Sequence, residues 1–450
     1  MSAIEKTISG AILKRIRARR AAATAGAVDS LTRDTAATAP AKLREARFSD
    51  FEAVADLKQK WGLNAESIEN WERLWQRNPA LVQSVLVPSN PERPIGWVLE
   101  ADGAVVGYLG NISLAYRYGD KTLSAATAHG LVVDPAYRAL GLTLVAAYFR
   151  QKSVDLFIST SAIENVGKIA LAFKSSPVPQ RDYDTVLFWV LRPYGFGRAL
   201  VKKLNFGPVL AQASSALIAF AVAVDKIVRR RWPRQSSSPF SVNEIRLDEI
   251  DSDFQTLWIA KQKEGSRLLA DRSPAALRWH FEIPGDRGSS RVLCCYKNSE
   301  LLGYAIVRSD TKPENDLRVS LIADLVAKRD DPEVLRALWV AAFDVARQAG
   351  SHVLEVMGFP CAIRQLSAKW NPYRRKYPAC PFYFKAANPA LHETLSDEAV
   401  WYASPFDGDA TLVRPSYPIS ATSTHPRVAR KDTAAKRRPE SLEHVHPEVV

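Results

Sequence analysis

Residues 129–143 read HGLVVDPAYRALGLT, and this stretch decides the fold. An apolar run ends at Val133, and Pro135 stops a strand there because proline has no N–H to donate. A helical pattern follows directly. A turn between a strand and a helix presents free N–H groups and the positive end of the helix dipole. The stretch therefore predicts an anion site, with Arg138 as a forked cation and Gly141 allowing close approach.

Strand and helix patterns alternate on both sides of this stretch. Two apolar runs, 96–100 and 105–114, are separated by a turn whose Asp-Gly pair favours a hairpin. The remaining predicted elements are a short strand from Leu43, helices through Trp61, Trp71 and Trp75, a strand at 127–133, a helix at 140–153, a strand at 155–160 and a helix at 165–174. This order predicts a mixed α/β domain.

The second half of the chain repeats the order of the first. The tripeptide Leu302-Gly303-Tyr304 answers Val106-Gly107-Tyr108. Gly107 lies 26 residues before Val133, and Gly303 lies 24 residues before Ala327. A helix at 334–347 and a strand at 352–357 follow, as they do in the first half. The sequence therefore predicts two copies of one supersecondary unit.

With 450 residues, the chain is long enough for two ordinary domains. Its 47% hydrophobic and 24% charged residues are typical of a soluble, folded protein. We predict a flexible basic leader at 1–42, a domain at 43–195, an apolar and basic helical linker at 196–241, a second domain at 242–405 and a flexible tail at 406–450.

The net charge of +13 is unevenly distributed. Eight basic residues and one acidic residue fall within 198–234. The four cysteines form no CxxC pair and the histidines no cluster, so we predict neither a metal site nor a disulfide framework. The start of the chain has no apolar run long enough for a secretory signal, which favours a cytoplasmic location.

Residues 206–224 form an apolar stretch with basic residues on both sides. Its 19 residues approach the lower limit for a membrane span. Three alternatives remain: a helix packed against the domains, which we favour, contact with a membrane surface, and a span. A span would put the two halves of a repeated fold on opposite sides of a bilayer. A membrane-peripheral protein therefore stays open.

The 129–143 stretch resembles the coenzyme A loop of the GNAT (acyl-CoA N-acyltransferase) superfamily, V-x-P-x-x-[RQ]-x-x-G-x-[GA]. Val133, Pro135, Arg138 and Gly141 match this pattern, whereas Thr143 replaces its small last residue. The resemblance implies an α/β fold with two tandem GNAT-like domains. Each would have a mixed, mostly antiparallel sheet flanked by helices, and a helical linker would join them.

The resemblance also implies that acetyl-CoA or another acyl-CoA is a co-substrate. The loop would hold the pyrophosphate, Asn165 would contact the pantetheine arm, and an N–H of the preceding strand would polarise the thioester carbonyl. The candidate coenzyme-binding residues are Leu131, Val132, Val133, Arg138, Ala139, Leu140, Gly141, Leu142, Thr143 and Asn165.

In this family an amine attacks the thioester directly, so it must first lose a proton. His129 is the best-placed base, although a lone histidine in a strand is more often structural. The family places a tyrosine two turns after the asparagine to protonate the leaving thiolate, but this chain has Ala172 and Phe173 there. Tyr183 or solvent would have to supply that proton.

The second half departs from the loop pattern. Residues 328–333 read KRDDPE, which lacks the glycine and places three carboxylates where phosphate oxygens would lie. Repulsion predicts that this loop binds no anion, so the second copy is degenerate. Residues 370–377, WNPYRRKY, predict a solvated loop, with an anionic or sugar-like acceptor as the alternative.

Taken together, these patterns predict an enzyme that moves an acyl group from coenzyme A to an amine. Acetyl is the acyl group that we favour. Its partners would be the coenzyme A thioester and an amine acceptor, with no nucleic acid. Two alternatives remain: a tandem GNAT-fold transferase that uses aminoacyl-tRNA, whose phosphates would suit the basic charge, and a non-catalytic acyl-CoA-binding or scaffold protein. The acceptor and the oligomeric state stay open.

Overall fold

The computed structural model describes residues 39–81, 93–160, 164–204, 208–233, 239–286, 288–376 and 382–413. Up to Val228 the elements are β1 (Lys42–Glu45), α1 (Phe51–Lys60), α2 (Ile68–Trp75), β2 (Gly96–Ala101), β3 (Ala104–Tyr118), β4 (Lys121–Val133), α3 (Gly141–Phe149), β5 (Leu156–Ser159), α4 (Glu164–Ala172), β6 (Ser176–Pro177), β7 (Thr185–Val190), α5 (Pro193–Leu204) and α6 (Pro208–Val228).

After Val228 come β8 (Ser241–Ile245), α7 (Ser252–Gln262), β9 (Leu268–Ala270), α8 (Pro274–Phe281), β10 (Ser290–Lys297), β11 (Glu300–Lys312), β12 (Leu317–Ala327), α9 (Pro332–Gln348), β13 (Val353–Val356), α10 (Cys361–Ala368), β14 (Tyr373–Lys376), β15 (Tyr383–Ala386) and α11 (Pro389–Thr394). These strands and helices alternate, and the predicted mixed α/β class is confirmed.

The first sheet has the strand order β1-β2-β3-β4-β5-β15-β6, with β9 beside β3. Only the β4–β5 pair is parallel. The β2–β3 hairpin turns at the predicted Asp-Gly pair, where Asp102 and Gly103 both have positive φ, 48° and 77°. Two such residues form the turn that matches the twist of paired strands.

The predicted boundaries of two elements in the first half, a strand and a helix, are wrong. The strand predicted at 127–133 begins earlier, at Lys121, because its first residues alternate small and polar side chains that hide the strand pattern. The helix predicted at 140–153 spans only Gly141–Phe149. It ends there because the side chain of Gln151 donates to the carbonyl of Tyr148 and so takes the place of the next turn.

The second sheet has the order β14-β7-β13-β12-β11-β10-β8. Its central hairpin has the register that the repeat predicts: Gly303 pairs with Ala327, as Gly107 pairs with Val133 in the first sheet. The next strand, β13, runs parallel to β12, as β5 does to β4. The residues that the spacing equates therefore have the same register in the two sheets.

Each sheet contains a strand from the other half of the chain. β7, which precedes the linker, pairs with β13 and β14 of the second sheet. β15, from the second half, pairs with β5 and β6 of the first sheet. One buried cluster also joins both sheets, with Tyr116 and Ile158 on one side and Tyr304 and Ile306 on the other. The predicted limits 43–195 and 242–405 therefore do not coincide with the limits of the sheets.

The segment after β15 runs back through the core. Residues 402–409 and 411–413 are buried. Arg73 of α2 donates to the carbonyl of Leu412, and Arg308 of β11 donates to the carbonyl of Thr411. The prediction of a flexible tail from residue 406 is therefore wrong for 406–413, where buried hydrogen bonds to both sheets hold the backbone.

The apolar stretch predicted at 206–224 contributes to α6, which packs against α5. The backbone of Ser215 lies so close to Gly197 that a Cβ on this glycine would be 2.7 Å from the Ser215 oxygen. Val222 packs against the second sheet, beside Val190 and Val319. In the described part of the chain, one helical window, Ala211–Val228, is long and apolar enough to cross a membrane.

Candidate functional site

The parallel strands β4 and β5 separate part of the way along β4. They pair at three positions only, the last of which joins Thr127 to Ile158. β4 continues to Val133, paired on its other side with β3. Tyr148 of α3 closes the fork because its hydroxyl donates to the carbonyl of Ala126. Among the described residues, residues 128–133 therefore have no strand partner on the β5 side, and this side of β4 is called the wedge.

A β-bulge reshapes β4 inside this wedge. Gly110 pairs with His129 and Tyr108 pairs with Val132, so two residues of β4, Gly130 and Leu131, oppose one residue of β3. Gly130 has φ of 66°, a conformation that side chains with a Cβ rarely adopt. The bulge places His129, Val132 and Tyr108 on the same face of the sheet, towards α1 and α2.

The turn after β4 is short and open. Residues Pro135–Leu140 form a 3-10 helix in which Arg138 and Ala139 are exposed. The carboxylate of Asp134 accepts from the N–H of Ala136 at 3.1 Å and from Lys60 Nζ at 2.9 Å. Burial alone would raise the pKa of Asp134, but the Lys60 ammonium and the Ala136 amide outweigh it and lower that pKa.

The helix α3 begins where this turn ends. The N–H of Gly141 donates to the carbonyl of Arg138, while Leu142 and Thr143 lie exposed in the first turn. The amides of a first turn have no carbonyl four residues back within the helix. The Thr143 hydroxyl donates to the Leu140 carbonyl at 2.6 Å. The residue that departs from the motif therefore has its hydroxyl bonded within the turn.

Four charged side chains meet on the α1–α2 face of the wedge. Lys58 Nζ donates to one oxygen of Glu66 at 2.6 Å, and His129 Nε2 lies 2.5 Å from the other. His129 Nδ1 lies 3.4 Å from Asp409, which also accepts from Thr160 at 3.0 Å. This ion cluster links α1, β4, the end of β5 and the C-terminal segment.

The ion cluster is nearly closed to solvent, and its charges control one another. Burial alone would raise the pKa of Glu66, but the His129 and Lys58 cations outweigh it and hold that pKa well below its usual range. Burial alone would lower the pKa of His129, but Glu66 and Asp409 outweigh it and raise that pKa. Since both its nitrogens face carboxylates, the charged form of His129 is favoured over the neutral form.

Two buried hydroxyl groups near the ion cluster have no hydrogen-bond partner among the described residues. They are the Tyr108 hydroxyl and Thr127 Oγ1. Thr127 lies where β4 leaves β5, and a Cβ on Gly110 would lie 2.6 Å from the Tyr108 oxygen. Burial, with Glu66 nearby, raises the pKa of Tyr108, so its hydroxyl stays neutral. A buried polar group without a partner is costly, which favours a polar ligand here.

Tyr183 and Asn165 remain predicted site residues. Tyr183 lies in the core that joins the two sheets, packed on Phe382, and its hydroxyl is 3.5 Å from the Ser404 carbonyl. Val133, another predicted site residue, packs against a different hydrophobic cluster, the one beneath α3. Asn165 falls within α4, as predicted, but its side chain lies outside the described residues.

The second half has a different buried group at the position equivalent to His129. Asp324 pairs with Ile306, as His129 pairs with Gly110. Arg272 donates twice to Asp324, at 2.9 and 3.1 Å, and Tyr304 donates at 2.8 Å. These groups satisfy one another in the core, so the arrangement is that of a structural ion pair.

In the loop of the second half that was predicted to be degenerate, the loop's own carboxylates bond to neighbouring cations and backbone N–H groups. Asp330 accepts from Lys261 at 2.6 Å and pairs with Arg267. Asp331 accepts from the N–H groups of Glu333 and Val334 at the start of α9. The amides that would meet a phosphate are therefore capped by a carboxylate, and the physical argument against an anion here is strengthened.

The prediction of a solvated loop at 370–377 is wrong for Tyr373–Lys376, because these residues form the edge strand β14. Its polar side chains are paired: Tyr373 donates to Asp225 at 2.5 Å and Arg375 to Glu355 at 2.8 Å. In the described part of the chain, no group of three or more His, Cys, Asp or Glu side chains could hold a metal ion.

Sequence reasoning missed three members of the ion cluster. Lys58 and Glu66 lie on or after an amphipathic helix, where charged residues are ordinarily solvated. Asp409 lies in a stretch, SPFDGD, that has the composition of a loop. The single available indication was the burial of α1 and α2 against β3, which their tryptophans predict but which does not identify a charged partner.

No family model matches the sequence, and no curated protein matches it. Among solved structures, a GCN5-related N-acetyltransferase from Anabaena variabilis is 10% identical with a TM-score of 0.49, covering 78% of this chain and 73% of that one. A GCN5-related N-acetyltransferase from Kribbella flavida is 12% identical with a TM-score of 0.47, covering 78% and 72%. A probable N-acyltransferase from Enterococcus faecalis is 9% identical with a TM-score of 0.49, covering 77% and 72%.

The α/β class with a mixed, mostly antiparallel sheet that was expected from the sequence is confirmed by the first sheet. The turn from β4 into α3 follows the strand that ends at Val133, as predicted. Two mixed sheets flanked by helices make up the described chain.

Proposed function

We propose that this protein is an acyl-CoA-dependent N-acyltransferase that transfers an acyl group, acetyl in the first instance, to an amine in the cytoplasm. The observation that carries the proposal is the wedge between β4 and β5, where residues 128–133 have no described strand partner on the β5 side. A pantetheine arm would take the place of the missing strand partners there. The exposed Arg138 turn stands at its outer end.

Coenzyme A would bind with its pyrophosphate at the amino end of α3. Arg138 would supply a forked cation, and the first-turn amides of Leu142 and Thr143 would supply N–H donors. The pantetheine arm would run down the wedge past Leu131–Val133 towards α4, where Asn165 is the candidate partner. The thioester would then lie beside the bulge at Gly130.

In the reaction the amine nitrogen forms a bond to the thioester carbonyl carbon, and the C–S bond breaks. The thiolate takes a proton as it leaves, and the amine gives one up. Holding both reactants in one wedge accounts for most of the acceleration. The Tyr108 hydroxyl and Thr127 Oγ1 lie on the face from which an acceptor would enter, so the acceptor should be polar around its amine.

His129 can accept the proton of the amine only when it is neutral. Because its pKa is raised, the proposal predicts that acylation accelerates as the pH rises through that raised value. His129→Gln should remove this pH dependence. A rate that does not change with pH across this range would assign the proton to solvent instead.

Calorimetry with acetyl-CoA tests the assigned turn. Arg138→Ala should weaken binding about tenfold or more, because a charge-assisted hydrogen bond contributes about 1.5–3 kcal/mol. Arg150→Ala is the matched control, since Arg150 is exposed at the other end of α3. Equal affinity of the wild type and Arg138→Ala, or no binding to either, would refute the assignment.

A second candidate is a protein that binds acyl-CoA without turning it over. Both nitrogens of His129 are engaged by carboxylates, and α4 has Ala172 where the family has its tyrosine. Release of free thiol from acetyl-CoA with a panel of polyamines, amino sugars and amino acids separates the two candidates. Binding with no thiol release above the hydrolysis rate would favour the second.

A further inference from the structure

One side of α6 is an exposed apolar stripe. Its members, Leu217, Phe220, Val224, Ile227 and Val228, are between 43% and 73% exposed. At 100° per residue they fall within an arc of about 100°. Only 6% of the window Ala211–Val228 is buried. The stripe is therefore a continuous apolar surface that no described part of the chain covers.

The stripe ends in a cationic group. Arg229, Arg230 and Trp232 follow directly after α6, and they line an open groove of about 660 Å³. Arg336 and Lys369, from α9 and the end of α10, line the same groove, together with Trp370 and one acid, Glu333. The groove thus carries four cations and one carboxylate, with two tryptophans beside them.

We propose that the stripe of α6 and this groove form a docking surface for an anionic phospholipid membrane. A helix that lies in the membrane interface buries an apolar face and keeps its cations level with the lipid phosphates. Tryptophan is enriched at the same level. The stripe supplies the apolar face, and the groove supplies the cations together with Trp232.

The structure argues against three other ways in which the stripe could be covered: a membrane span, a second copy of the chain, and residues 1–38. A span is excluded by the attachments of α6, since Gly197 packs on Ser215 near its start and Arg231 donates to the Asn371 carbonyl after its end. Both attachments lie on the same folded body. A second copy of the chain, with its net charge of +13, would add cations to cations. The leader within residues 1–38 is itself basic and is disfavoured for the same reason.

Flotation of the full chain with liposomes tests the proposal. We expect the protein to float with vesicles of phosphatidylcholine containing 30% phosphatidylglycerol, and not with phosphatidylcholine alone. Leu217→Glu/Phe220→Glu should abolish flotation. Arg229→Gln/Arg230→Asn should weaken it about tenfold or more, since each cation near the surface contributes about 1 kcal/mol. Asn suits position 230, where φ is 49°.

Ile259→Glu is the matched control. Ile259 is an exposed apolar residue on α7, away from the stripe, so this variant should float like the wild type. Circular dichroism verifies that each variant is folded. Flotation that is equal with neutral vesicles, or equal for all variants, would overturn the proposal. So would a dimer in light scattering that Leu217→Glu/Phe220→Glu dissociates, because the stripe would then be covered by a second copy.

Discussion

Replacing Glu66 by Gln removes a carboxylate that touches both cations of the ion cluster. Glu66 accepts from Lys58 at 2.6 Å and lies 2.5 Å from His129. The side chain of Lys58 is 1% exposed, so its ammonium has little access to water. Glutamine keeps the shape of the side chain and removes its charge. The variant therefore isolates the electrostatic contribution of Glu66.

Breaking a buried ion pair by removing one partner costs about 3–5 kcal/mol, because the other charge stays buried. We expect Glu66→Gln to lose free energy of unfolding in this range near pH 6. His129 can escape part of the cost by giving up its proton. Glu52→Gln is the matched control, since Glu52 is an exposed carboxylate on the same helix as Lys58, and it should change stability by less than about 0.5 kcal/mol.

The loss should shrink as the pH rises. The pKa of His129 is raised above its ordinary value of 6.5, so the stability that His129 contributes is complete below pH 6.5 and is lost as the pH rises through the raised value. The pKa of Glu66 is lowered from 4.5, so its contribution is present above pH 4.5 and is lost as the pH falls through the lowered value. The cluster therefore stabilises the fold most between these two limits.

Urea denaturation at pH 6 and pH 9, followed by tryptophan fluorescence, measures both effects, because Trp71 and Trp75 are packed beside the cluster. Three outcomes would refute the reasoning: equal stability of Glu66→Gln and Glu52→Gln, a loss that grows with pH, or a loss that does not depend on pH. The last would mean that His129 is neutral in the folded protein.

Three further perturbations are predicted from the same geometry. Gly130→Ala should cost about 1–3 kcal/mol in urea denaturation, because φ is 66° and the new Cβ would lie 2.7 Å from Lys58 Nζ; unchanged stability would contradict the bulge. Tyr108→Phe should alter stability by less than about 1 kcal/mol, since its hydroxyl has no partner among the described residues, yet it should raise KM for the amine. A chain ending at residue 405 lacks Asp409 and the carbonyls of Leu412 and Thr411, which accept from Arg73 and Arg308, so circular dichroism should find it largely unfolded; a native spectrum would oppose this.

Much of the fold could be predicted from the sequence because its determinants are local. A proline such as Pro135 ends the strand before it, and an Asp-Gly pair between apolar runs specifies a hairpin. The Gly-Tyr repeat could be aligned because the spacing to the next strand end is nearly conserved between the halves. Such signals require only neighbours along the chain.

The rest depended on contacts between distant residues. The exchange of β7 and β15 leaves no trace in local patterns, since either strand could pair with the sheet of its own half. The ion cluster needs Asp409, which is 280 residues from His129. At the bulge, a Cβ on Gly130 would lie 2.7 Å from Lys58 Nζ, and no periodicity reports this approach. These features arise when the chain closes on itself.

Because β15 belongs to the first sheet, that sheet cannot be completed until most of the chain has been synthesised. β5 leaves the ribosome more than 200 residues before β15, its partner on that side of the sheet. At about 5–20 residues per second, that edge stays unpaired for roughly 10–45 s. An unpaired apolar edge is a template for aggregation. The nascent protein should therefore rely on chaperones, and a slow codon run before β15 would reduce its soluble yield.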